Sequence, residues 1–251
     1  IEAGARVHFH ANSGIIIDKG ATLNIEGELD NLVVLEGDRL EPYFTDVPGQ
    51  WGTIWLRAGS KNNSIKNTVI KNASIGVIMD SIASPTEPSL ILKNTQIYNS
   101  SNYGLLGRET NIVGENLVIN NSGQVSLACI IGGTYNFSHS TFTNYWNNSL
   151  RQFPSVLVNN FFTYYNENGN EIIETRDLAA ANFTNCIIDG NSNIELLLDN
   201  VEGSQFNYNL KNNLIRFNDY NNKYEGVAEY NFDDANHFSN NIINGEPDFK
   251  N

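Results

Sequence analysis

The chain is poor in the residues that most often carry chemistry or span a membrane. Its 251 residues include two cysteines, one methionine and only 15 lysines and arginines, set against 28 aspartates and glutamates. The net charge of −13, with its few cations scattered, excludes a nucleic-acid partner, which requires a clustered basic face. No run approaches the ~18 consecutive apolar residues of a membrane span, so no transmembrane segment is expected. Cys129 and Cys186 fall in repeats roughly two apart, about 10 Å along a stack of strands, beyond the reach of a disulfide. Both are expected as free thiols, Cys186 buried. No leader precedes Ile1, so a reading as an exported protein places a removed signal or anchor ahead of it.

What is present is a repeat. The hexad Asn67-Thr68-Val69-Ile70-Lys71-Asn72 recurs with first residues Asn94, Asn116, His139, Asn159, Asn185, Asn212 and Asn240. Its fourth residue is always apolar: Ile70, Ile97, Ile119, Phe142, Phe162, Ile188, Ile215 and Ile243. Spacings of about 20 to 28 residues lie in the period range of solenoids. β-Branched hexads bounded by Asn, Gly and Ser predict short strands between turns. The fourth residue faces inward. The smaller second residue (Thr68, Thr95, Leu117, Ser140, Asn160, Cys186, Asn213, Asn241) shares that face and meets its equivalents at strand spacing, roughly 4.8 Å. Asn at each bend tolerates a left-handed backbone and can both donate and accept, which predicts a hydrogen-bonded ladder of amides.

These stacked hexads and their Asn column resemble the right-handed parallel β-helix proteins of the pectate-lyase-like superfamily, in the style of bacterial secreted and surface proteins. The resemblance covers the whole chain and implies an all-β, single-stranded solenoid of about ten coils. The expected organisation is one domain over residues 1–251. Short coils fill residues 1–37, a loop protrudes over 38–50, and regular coils fill 51–251 with an acidic loop at 166–177. The opening coils are expected to align Gly4–Phe9 with Gly20–Ile25, and Phe249 to close the far end.

Two aromatic groups are the candidate ligand-binding residues. Tyr43 and Phe44 on the protruding loop, with Trp51 and Trp55 on the strand that follows, suit the apolar faces of sugars. Tyr145, Trp146, Tyr164 and Tyr165 each follow consecutive hexads and are expected to stack into one patch. The competing reading for both groups is packing of a loop onto the scaffold. His8 and His10 share a strand face with no evident third ligand, so they are expected as surface residues rather than a metal site. Asp189 and Arg216 occupy equivalent positions and are expected to form an exposed ion pair.

Lyases and hydrolases of the resembled superfamily imply motifs that this chain lacks. Arg151-Gln152-Phe153-Pro154 falls short of Arg-x-Pro-x-x-Arg, and Asp233-Asp234 stands without a Gly-His-Gly. No catalytic residue, metal site or cofactor is assigned. Calcium is the one ion that the acidic loops could take up, but the spacing of Glu171, Glu174 and Asp177 specifies no site. The expectation is a non-catalytic, secreted or cell-surface bacterial protein that recognises a polysaccharide or surface glycan. The alternatives are a carbohydrate-active enzyme (polysaccharide lyase or glycoside hydrolase) with a diverged site, and a purely structural scaffold.

Overall fold

The computed structural model describes residues 1–84 and 86–249; Pro85, Lys250 and Asn251, which the expected domain includes, lie outside that description. The described chain is all-β apart from two short 3-10 turns, Pro42–Phe44 and Ala228–Tyr230. One large sheet holds nearly every strand, and its strand pairings are parallel, an arrangement compatible with a parallel β-helix.

The strands form three ladders. In the first, Val7, Leu35, Ile70, Ile97, Ile119, Phe142, Ile188, Ile215 and Ile243 stand in register one above another. These nine residues are joined by eight parallel pairings. The second ladder opens with Ile15–Ile17, Ile54–Leu56 and Ile75–Asp80. The third opens with Asn24–Glu26 and the first half of Asn63–Lys71. One continuous apolar core runs between the ladders from Phe9 to Phe238. Of the inward row, the residues from Leu35 to Ile215 are at most 1 % exposed.

The Asn column behaves as its chemistry predicts. Asn67, Asn94, Asn116, His139, Asn185, Asn212 and Asn240 all have φ between 45° and 57°, the left-handed region that Asn tolerates better than other side chains with a Cβ. Each bends the chain from the third ladder into the first. Asn94 donates to Asn67 Oδ1 at 2.9 Å and Asn116 donates to Asn94 Oδ1 at 2.8 Å. His139 substitutes in kind, its Nε2 lying 3.0 Å from Asn185 Nδ2. The small inward column is satisfied within the core: Ser140 Oγ accepts from Leu117 N, and Asn213 Oδ1 accepts from Cys186 N. Both cysteines are free and buried.

Three expectations are corrected. The hexad at Asn159 is not a circuit: Asn159 lacks the left-handed backbone, and Phe161–Tyr165 pairs antiparallel with Glu171–Thr175 as a hairpin inserted in the ladder. Thr141–Asn144 therefore stacks on Ile187–Gly190. Hydrogen bonding within the hairpin outcompetes the hexad signal, and the acidic loop of residues 166–177 is largely its tip and second strand. Second, residues 6–26 supply one strand to each ladder, and Arg6–Phe9 registers with Val33–Gly37 rather than with the strand near Ile25. Third, Phe249 is 49 % exposed and does not plug the core.

Candidate functional site

The outward residues of the first ladder build a polar concavity. Side chains alternate along a strand, so a residue next to the buried row faces out. His8 registers with Glu36, Lys71 with Tyr98, and Tyr98 with Asn120. Glu36 sits between two cations from adjacent circuits. Arg6 Nη2 donates to its Oε1 at 2.5 Å, and Lys71 Nζ lies 2.9 Å from its Oε2. His8 Nδ1 approaches to 3.7 Å. Burial alone would raise the Glu36 carboxyl, but the hydrogen bonds and charges of Lys71 and Arg6 together outweigh it and hold the group below the usual carboxylate range.

The loop of residues 38–50 roofs this cluster. Gln50 donates to the carbonyls of Phe44 and Val47, and Asn72 donates to that of Thr45 at 2.8 Å. The partly open pocket is about 300 Å³, with Glu36, Lys71 and Asn72 on the ladder side and Arg39, Leu40 and Phe44 on the loop side. Arg39 lies over the Phe44 ring, 3.8 Å from its centroid. Such stacking fixes the guanidinium plane while leaving its N–H donors free. Beyond residue 45 the loop borders a second, shallower depression lined by Asp46, Tyr98, Asn99 and Asn120.

The first group of predicted aromatics divides. Tyr43 is 83 % exposed and packs edge-on against Phe44 at 5.2 Å. Trp51, in contrast, is buried, stacked on Phe9 at 4.3 Å, and donates its indole N–H to the Lys71 carbonyl. Trp55 is half-buried and its indole donates to Asp80. Trp51 therefore packs in the core, whereas Trp55 keeps part of its ring exposed on the outward face beside Arg57.

The second group does not assemble. Tyr145 donates its hydroxyl to Asp189 Oδ2 at 2.7 Å, and Trp146 is buried with its indole N–H on Ser149. Tyr164 and Tyr165 ride on the hairpin, where Tyr164 stacks on Phe162 and donates to Glu174. The expected patch required the Asn159 circuit, which is absent. Asp189 is only 2 % exposed, and Arg216 Nη1 approaches it at 3.5 Å, so the expected exposed pair is a buried carboxylate shielded by Tyr145. His8 and His10 turn to separate carboxylates, Glu36 and Asp38. Among the described residues no cluster of three or more His, Cys, Asp or Glu is placed to hold a metal ion.

Sequence reasoning missed Arg6, Glu36, Arg39 and Lys71 as a group. The signal was available in the second and third circuits. Lys71 closes a hexad, and aligning Val33-Val34-Leu35-Glu36 on that hexad places Glu36 beside it. A further pocket of about 380 Å³ near the far end is lined by Asp199, Lys223, Glu229 and Tyr230. Burial raises the Asp199 carboxyl against the opposing pull of Lys223. Comparison with protein-family models, with curated proteins and with solved structures finds no match to this chain.

Proposed function

We propose that the chain is a right-handed parallel β-helix whose role is non-catalytic recognition of a glycan, exported and displayed at a cell surface or secreted. Handedness follows from the rule that parallel crossover connections are right-handed in nearly all cases. The observation that carries the functional reading is the pocket between Glu36 and the 38–50 loop. It combines hydrogen-bonding groups in its floor with an exposed ring, Tyr43, beside its aromatic wall at Phe44. Sugars need this combination, because their C–H faces stack on rings while their hydroxyls both donate and accept.

Binding rather than cleavage is favoured by the state of Glu36. It is the one carboxylate lining the pocket, and Lys71 and Arg6 keep it ionised. Glycoside hydrolysis uses two carboxyl groups, one of them protonated to serve as the acid. One observation favours a second reading, a carbohydrate-active enzyme with a diverged site. Asp199 and Glu229 share the far pocket, and burial shifts Asp199 toward the protonated form.

A glycan-array screen tests both readings when run alongside assays for new reducing ends and unsaturated products. Retention without products, abolished by Tyr43→Ala, supports recognition at the loop. Products that vanish in Asp199→Asn would replace it with the enzyme. Silence in every assay would leave the scaffold reading.

A further inference from the structure

Charge is distributed unevenly between this pocket and the rest of the molecule. The whole chain carries −13. Among the groups lining the pocket, Arg6, Arg39 and Lys71 stand against the single carboxylate of Glu36, three positive charges less one, or +2 with His8 neutral. Glu36 offers one oxygen to Arg6 and the other to Lys71, so one negative charge is shared between two cations. Arg39 is oriented by Phe44 and has only a 3.5 Å approach to the exposed Glu41 as an ion pair. Its guanidinium makes no hydrogen bond among the described residues and keeps its donors for an incoming anion. The floor adds one acceptor: Asn72 is 2 % exposed, and its Oδ1 has no donor partner. A bare anion would satisfy the cations and leave that acceptor unmet, whereas a ligand with hydroxyls can serve both.

The excess of cations is confined to the first circuits. Along the same outward row, Lys71 is followed by Tyr98 and Asn120, both uncharged at neutral pH. The loop around the mouth carries Asp38, Glu41 and Asp46, and Asp46 borders the next depression along the face. A second negative charge on a ligand would face these loop carboxylates, and repulsion within the ~8–10 Å screening length is only partly screened by salt.

We infer that the Glu36 pocket selects a saccharide end bearing one anionic substituent, a carboxylate, sulfate or phosphate, and discriminates against a polyanionic chain. This rests on the glycan reading above.

Calorimetric titration of the intact protein tests it with matched mono- and trisaccharides ending in glucose, galactose or N-acetylglucosamine. Each is used as the neutral sugar and as its singly carboxylated, sulfated or phosphorylated form, with a homopolyuronate, inorganic sulfate and inorganic phosphate alongside. The singly charged form of at least one sugar should bind about tenfold more tightly than its neutral partner, the effect of a charge-assisted hydrogen bond. The polyuronate should bind more weakly than that singly charged sugar. Arg39→Gln should erase the preference, bringing the charged sugar's affinity down about tenfold to that of its neutral partner in the same variant, with the melting temperature unchanged; Lys71→Met provides a second variant with a separate fold check. The charged arms of the panel identify which anion is preferred. Equal binding of neutral and charged sugars, or tighter binding of polyuronate, would overturn this inference and leave the glycan reading intact. Binding of inorganic anions as tightly as any sugar would overturn both, as would no binding at all.

Discussion

Lys71 Nζ and Glu36 Oε2 lie 2.9 Å apart although a full circuit of chain separates them. The contact exists because Leu35 registers with Ile70, so the next residue on each strand faces outward at the same height. A one-residue slip of either strand would turn its own charge into the core. The same pairing that sets the register therefore also builds the polar floor of the candidate site.

Glu36→Gln should lower stability at neutral pH by about 1–3 kcal/mol, because it leaves Lys71 and Arg6 facing an uncharged amide. The folded carboxyl is held below its ordinary value of 4.5. Its contribution is therefore fully present above that value and is lost as pH falls through the lower folded value. Denaturant titrations of wild type and variant between pH 7 and pH 3 check the sign. The two curves should run parallel above pH 5 and converge below 4.5. Divergence toward acid would contradict the assignment.

Asn94 uses both its side chain and its backbone. It donates to Asn67, accepts from Asn116 and holds φ at 49°. Asn94→Ala should destabilise by about 1–3 kcal/mol, and Asn94→Gly should recover the part due to backbone strain but not the amide ladder. Equal losses for Ala and Gly would show that backbone conformation contributes nothing at this bend.

Arg151 and Glu195 form a paired network that is almost wholly buried. Arg151 Nη2 meets Glu195 Oε1 at 2.6 Å, and the side chains are 3 % and 0 % exposed. The guanidinium also holds the Phe153 and Asn144 carbonyls, which ties residues 145–155 to the ladder. Arg151→Met or Glu195→Leu alone should cost about 3–5 kcal/mol by stranding the opposite charge. The double variant should cost less than either single one, as read from denaturant midpoints in a double-mutant cycle.

The hairpin Phe161–Tyr165 with Glu171–Thr175 is an insertion closed at its base by a hydrogen bond from Arg176 N to the Asn160 carbonyl at 2.7 Å. Replacing residues 162–174 with two glycines should leave the circular-dichroism spectrum strand-rich and the melt cooperative. Loss of the cooperative transition would mean that the hairpin supports the ladders.

The row of Ile70, Ile97, Ile119, Phe142, Ile188 and Ile215 was legible in the sequence because burial and strand spacing act on every copy alike. The Asn column was legible for the same reason, since each bend requires the same backbone geometry. Asn159 mimicked that signal locally, and its backbone outside the left-handed region and the antiparallel pairing of Thr163 with Ile173 distinguish it. Tyr43 and Phe44 were found as loop aromatics. Their neighbours Arg6, Glu36 and Lys71 were not, because the contact depends on a register between strands of dissimilar sequence. Trp51 and Trp146 misled because composition does not reveal whether a large ring covers a core or a ligand.

The most direct test is a crystal structure of the protein with the best-retained glycan from the array. A sugar seated between Glu36 and the 38–50 loop, with its ring against Tyr43 or Phe44 and a polar group on Arg39, is the predicted result. A glycan bound elsewhere, whether in the Asp199 pocket or on the hairpin with the Glu36 cavity empty, would contradict the assignment of this site.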